Sequence, residues 1–61
     1  MNAQQTLIRK YVRDGLRIEM YRENDLYVLK AYINGNEITE IFGNRKSASK
    51  KFTYYVKRYT Q

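Results

Sequence analysis

The chain has no cysteine, no histidine, no proline and no tryptophan. Without cysteine there can be no disulfide, and without cysteine or histidine a zinc centre is nearly excluded. Nucleophilic catalysis of the Ser–His or Cys–His kind has no base to use. Ser47 and Ser49 have only lysines nearby in sequence, and the acids are scattered over turns and strands. There is no glycine-rich phosphate loop. A chain of 61 residues also leaves little room for a closed pocket. These absences predict a protein that is not an enzyme, with no catalytic residue, no metal and no cofactor.

Other absences bear on location. No apolar run of signal-peptide length opens the chain, and nothing approaches the ~20 residues of a membrane span. Missing cysteine fits a reducing compartment. A soluble, cytoplasmic protein with no membrane partner is expected. There is no linker, low-complexity stretch or internal repeat, so residues 1–61 should form a single small basic domain, complete in itself. A domain of this size buries only ~60% of the surface its unfolded chain exposes. Its core must rely on aliphatic residues and seven tyrosines, or on a second copy of the chain.

What is present is a strongly uneven charge. Up to residue 40, Arg9, Lys10, Arg13, Arg17, Arg22 and Lys30 are balanced by Asp14, Glu19, Glu23, Asp25, Glu37 and Glu40. Beyond residue 40 stand Arg45, Lys46, Lys50, Lys51, Lys57 and Arg58 with no acid, so the net charge of +6 belongs to the last third. Such a concentration creates a positive field that attracts anionic partners.

Periodicity then places the elements. Ala3, Leu7, Ile8, Tyr11 and Val12 recur at helical spacing, which predicts a helix over 3–14, capped by Asn2 and ended by Gly15. Leu16, Ile18 and Met20 alternate with Arg17, Glu19 and Tyr21, as in a strand. Asn24-Asp25 makes a turn, and Tyr27, Leu29, Ala31 and Ile33 form the apolar face of the next strand. The pairing this implies sets Met20 opposite Leu29, Ile18 opposite Ala31 and Leu16 opposite Ile33. It also sets Glu19 opposite Lys30, a favourable cross-strand pair. Asn34-Gly35-Asn36 is a hairpin signal that leaves two registers open, and both put Ile38 and Phe42 of a strand over 37–42 on the apolar face. A last helix is expected over about 45–60, capped by Asn44 or Ser47. Ala48, Phe52, Tyr55, Val56 and Tyr59 form its apolar stripe, and Lys46, Lys50, Tyr54 and Lys57 lie opposite. The predicted fold is α+β, in the order α-β-β-β-α: a three-stranded antiparallel meander with two helices on one face.

Three surfaces stand out. The C-terminal helix carries Arg45, Lys46, Lys50, Lys51, Lys57 and Arg58 without the Glu–Lys pairs of an ordinary solvated helix, which favours phosphate contact. Lys46 also opposes the helix dipole, a weak second sign of a partner. Ser47 and Ser49 at the helix start suit ordinary capping better than a phosphate site. The open sheet face would align Tyr21, Val28 and Ile41, flanked by Arg17, Lys30 and Tyr32, and an exposed apolar row of this kind suits a protein contact more than nucleic acid. Arg9 and Arg13, with Lys10, extend the basic surface if the first helix lies beside the last.

The order α-β-β-β-α, with Ser49-Lys50-Lys51 opening the last helix, is similar to double-stranded-RNA-binding domains. That likeness implies phosphate contacts by Lys50 and Lys51. Those domains have a longer, histidine-bearing loop where this chain has Asn24-Asp25. Three strands followed by a helix also resemble the arm-binding domains of tyrosine recombinases, which read DNA with the sheet. Both likenesses are of architecture and a few lysines, so no family is assigned. The expected function is a small, basic, nucleic-acid-binding accessory or regulatory protein acting on DNA or RNA. The alternative is an inhibitor of the kind phages and mobile elements encode. Its target would be an acidic or nucleic-acid-binding protein of the host or of a defence system. A homodimer is a further expected assembly.

Overall fold

The β2–β3 hairpin of the computed structural model, Leu16–Glu23 against Leu26–Ile33, has the register that alternation predicts. Met20 faces Leu29, Ile18 faces Ala31, Leu16 faces Ile33 and Glu19 faces Lys30. The structure describes residues 4–60. Around this hairpin lie β1 (Gln5–Arg13), β4 (Asn36–Phe42) and one helix, α1 (Arg45–Tyr59). The strands form a single antiparallel sheet in the order β1-β2-β3-β4.

The predicted α-β-β-β-α fold is therefore corrected to β-β-β-β-α. The segment read as a first helix is the edge strand β1. Its proposed cap Asn2, and Ala3, lie outside the described residues. The misreading has a physical source. Pairing between β1 and β2 jumps from Leu7↔Tyr21 to Arg9↔Met20, which leaves Ile8 as an extra, bulged residue. Ile8 thus joins Tyr11 in packing against the core, while Leu7 and Val12 share the opposite face with Tyr21 and Arg17. A strand with a bulge brings Ile8 and Tyr11, three residues apart, to one face, as a helix would. With no first helix and a fourth strand, the likeness to double-stranded-RNA-binding and recombinase arm-binding domains no longer holds.

Asp14-Gly15 is a hairpin turn and not the end of a helix, because Arg13 pairs with Leu16 across it. Gly15 adopts φ +70, and a Cβ there would come within 2.7 Å of the Asn34 side-chain oxygen. The Asn34 amide also donates to the Gly15 carbonyl at 2.8 Å, tying this turn to the next but one. That turn is Asn34-Gly35, with both residues at positive φ and Ile33 paired with Asn36, which resolves the register left open by sequence.

The core lies between α1 and the central strands. Leu16, Ile18, Met20, Leu29, Ala31, Ala48, Phe52 and Tyr55 form it. Phe52, only 2% exposed, is among the largest fully buried side chains. Of the predicted helix stripe, Ala48, Phe52 and Tyr55 are buried, Val56 packs at the edge, and Tyr59 is exposed. The Tyr59 ring stacks on Tyr55, with centroids 6.2 Å apart. Ile38 and Phe42 lie on the helix side as expected, and Glu40 lies between them. Glu40 accepts a hydrogen bond from the Tyr55 hydroxyl. Burial, with this carboxylate, pushes the Tyr55 phenol up to about 12, so it remains a donor at neutral pH.

Candidate nucleic-acid interface

The sheet divides the charge of the molecule. Side chains alternate along each strand, so the register assigns every strand charge to one face. On the open face, Lys10, Arg17 and Lys30 are balanced by Glu19, Glu23 and Glu37. On the helix side stand Arg9, Arg13 and Arg22 from the strands and all six bases of α1. Among the described residues, the only strand acid there is Glu40, already hydrogen-bonded to Tyr55. Asp14 and Asp25 sit in turns. The net positive charge thus belongs to one side of a thin slab.

Asn44 caps α1, its side-chain oxygen accepting from the Ser47 amide at 2.8 Å. The first turn holds no acid, and Arg45 and Lys46 oppose the dipole. Arg45, Lys46, Lys50, Lys57 and Arg58 are exposed. A shallow depression runs along Lys46, Ser49, Lys50 and Thr53. Lys51 departs from this set. It is half-buried, with its ammonium 4.9 Å from the Tyr54 ring centroid and 5.6 Å from that of Tyr55. Lys51 therefore tethers aromatic rings beside the core and is less available to an external anion.

The expectation that Arg9 and Arg13 extend the basic surface from a first helix is corrected, because no helix forms there. They lie on β1 at alternate positions with Tyr11, opposite Met20 and Leu16, and so face the α1 side. The Arg9 guanidinium carbon sits 4.6 Å from the Phe52 ring centroid. Lys10, grouped with them by sequence, is opposite Glu19 on the open face.

The open face carries the predicted row, extended by one residue. Tyr21 pairs with Val28 and Val28 with Ile41, and Leu7 of the unforeseen strand adds a fourth position. Exposure along the row is uneven. Ile41 is 63% and Leu7 47% exposed, whereas Val28 is only 6% exposed between its neighbours. The expectation that nothing in the chain covers Val28 is corrected accordingly. Beside the row, Glu19 is nearly buried and accepts from the Tyr21 hydroxyl at 2.7 Å, with Arg17 Nε at 3.6 Å from its other oxygen. That hydrogen bond, with some burial, raises the Tyr21 phenol above its ordinary value. Lys30 lies 5.3 Å from the Tyr21 ring centroid and Arg17 lies 4.3 Å from that of Tyr32. Both tyrosines therefore already carry a cation from this chain on one ring face.

Sequence reading missed Leu7 as part of the row, and Tyr11 as a neighbour of the basic surface. The signal was Asp14-Gly15. Read as a hairpin turn, it pairs residues 9, 11 and 13 with the apolar face of β2 and brings them beside α1.

Among the described residues, no helix is long and apolar enough to cross a membrane. Neither a protein-family model, nor a curated protein, nor a solved structure matches this chain.

Proposed function

We propose that this protein is a small, non-enzymatic, cytoplasmic nucleic-acid-binding protein, accessory or regulatory in role, that holds phosphates mainly through α1. The observation that carries this reading is the partition of charge. The open face balances its charges, while the helix side gathers Arg9, Arg13 and the bases of α1 against one hydrogen-bonded acid. Cations of one sign on one face meet a polyanion and release its counterions. Contacts of this kind position the backbone and read no sequence, so DNA and RNA should both bind.

Salt dependence tests the reading. Fluorescence anisotropy with labelled DNA and RNA between ~50 and ~200 mM salt should give a log–log slope of about −3 or steeper, as expected for roughly four phosphate contacts. Absent binding, or binding indifferent to salt, would overturn the proposal.

A second reading is favoured by the open face. Leu7 and Ile41 end an apolar row that crosses all four strands of a charge-balanced surface. Exposed apolar rows mark protein contacts more often than base contacts. In this reading the chain is an inhibitor that docks the row on a host or defence protein, or pairs it with a second copy. Replacing Leu7 and Ile41 by threonine keeps strand propensity while removing apolar surface. This variant should stay folded but lose self-association in sedimentation, or lose a partner that survives nuclease treatment. A parent that sediments as a monomer, with a variant that keeps every partner, would reduce the row to strand-forming sequence.

A further inference from the structure

The helix packs on β2, β3 and β4, so β1 overhangs it. Between α1 and β1 runs a groove lined by Arg9, Lys10, Tyr11, Phe52, Thr53 and Lys57. Its chemistry differs from that of the helix's outer surface. Arg9 and Tyr11 stand two residues apart on the same face of β1. Arg9 is exposed and lies over the Phe52 ring at 4.6 Å, which supports the guanidinium from beneath and leaves its outer side open. Tyr11 is half-buried against the core. Lys57 stands on the helix wall, whereas the Lys10 side chain alternates to the open face.

We propose that this groove binds single-stranded nucleic acid, with one base stacked on Arg9 and the next on Tyr11, and a flanking phosphate held by Lys57. The inference rests on the nucleic-acid reading above and names its ligand class. Cationic walls around flat stacking platforms are what single-strand binding requires. Arg guanidinium planes and Tyr rings both serve as platforms for unstacked bases. Spacing separates single strands from duplexes. Residues two apart on a strand project side chains ~6.7 Å from each other. That is about twice the ~3.4 Å step of a duplex, whose bases are stacked on one another and closed to such platforms. The open face does not compete for this role, because its charges cancel and its tyrosines Tyr21 and Tyr32 already carry cations of this chain.

The test compares a labelled oligothymidylate of about 12 nucleotides, within the site size of small single-strand binders, with a duplex of the same length. Two variants are read beside the parent. Arg9→Lys keeps the charge and removes the planar platform. Tyr11→Leu keeps an apolar side chain against the core and removes the ring. The parent should bind the single strand more tightly than the duplex at equal salt. Each variant should lose at least about fivefold on the single strand, the low end for one lost stacking contact, and change less than twofold on the duplex. A parent that prefers the duplex, or variants that keep single-strand affinity, would overturn the groove proposal and leave the electrostatic reading standing. A parent that binds neither probe would overturn both.

Discussion

Phe52→Ala should leave the protein largely unfolded at room temperature. Phe52 is 2% exposed and lies in one buried cluster with Ile18, Met20, Leu29 and Ala48. Removing a buried phenylalanine ring costs ~3–5 kcal/mol, because the lost burial is joined by a cavity the neighbours only partly fill. A domain of 61 residues holds only ~3–9 kcal/mol in total. The cavity here has little means of collapse, since its walls are the two central strands and the helix. Arg9, which lies over the ring, would also lose its support. The expected result is a melting transition lowered by at least ~15 °C, or none with cooperative shape. A variant melting within ~5 °C of the parent would show that α1 does not seat its Ala48–Phe52–Tyr55 stripe on the sheet.

That stripe was legible because two constraints agreed on it. Helical spacing selected Ala48, Phe52 and Tyr55, and the long basic run left no other apolar face for the helix. The β2–β3 hairpin was legible for a similar reason. Strict alternation fixes a face, and a two-residue turn fixes a register, so Glu19 and Lys30 had to meet. The first strand failed on both counts. Its bulge at Ile8 broke the alternation by one residue, and the resulting pattern matched a helix better than a strand. Local periodicity cannot distinguish a bulged edge strand from an amphipathic helix when the apolar residues come as two adjacent pairs. The partner strand makes the distinction. Leu16, Ile18 and Met20 are buried by α1 from above, but β2 has two edges, and β3 fills only one of them. The Asp14-Gly15 turn is the local feature that supplies a neighbour for the other. Misreading it as a helix end also moved Arg9, Tyr11 and Arg13 away from the strand face beside α1, where the groove lies. The basic surface of α1 itself was legible from the absence of acids beyond residue 40. The neutrality of the open face was not, because it depends on the registers of three strand pairs at once.

Changing Lys46, Lys50 and Lys57 together to glutamate should abolish polyanion binding while leaving the fold in place. All three side chains are exposed on α1, away from the buried stripe. None makes an ion pair among the described residues, so no internal contact is lost. The effect on helix stability is a difference of small terms. A carboxylate at position 46 suits the helix start, and one at 57 opposes the helix end, each by under ~1 kcal/mol. The circular dichroism and melting temperature should therefore stay near those of the parent. The formal charge, in contrast, falls from +6 to zero. Lys46 and Lys50 border the depression along the outer helix, and Lys57 borders the groove against β1, so both edges of α1 lose attraction and gain repulsion. Binding to DNA and RNA should weaken by more than ~100-fold at ~100 mM salt. Any residual binding should show a salt slope shallower by about 2–3, the share of three released counterions. A matched variant with glutamine at the same positions separates lost attraction from added repulsion, and should fall between the parent and the reversal. Should the reversed variant keep parental affinity for both polymers, α1 is not the phosphate-binding surface and the nucleic-acid reading fails with it.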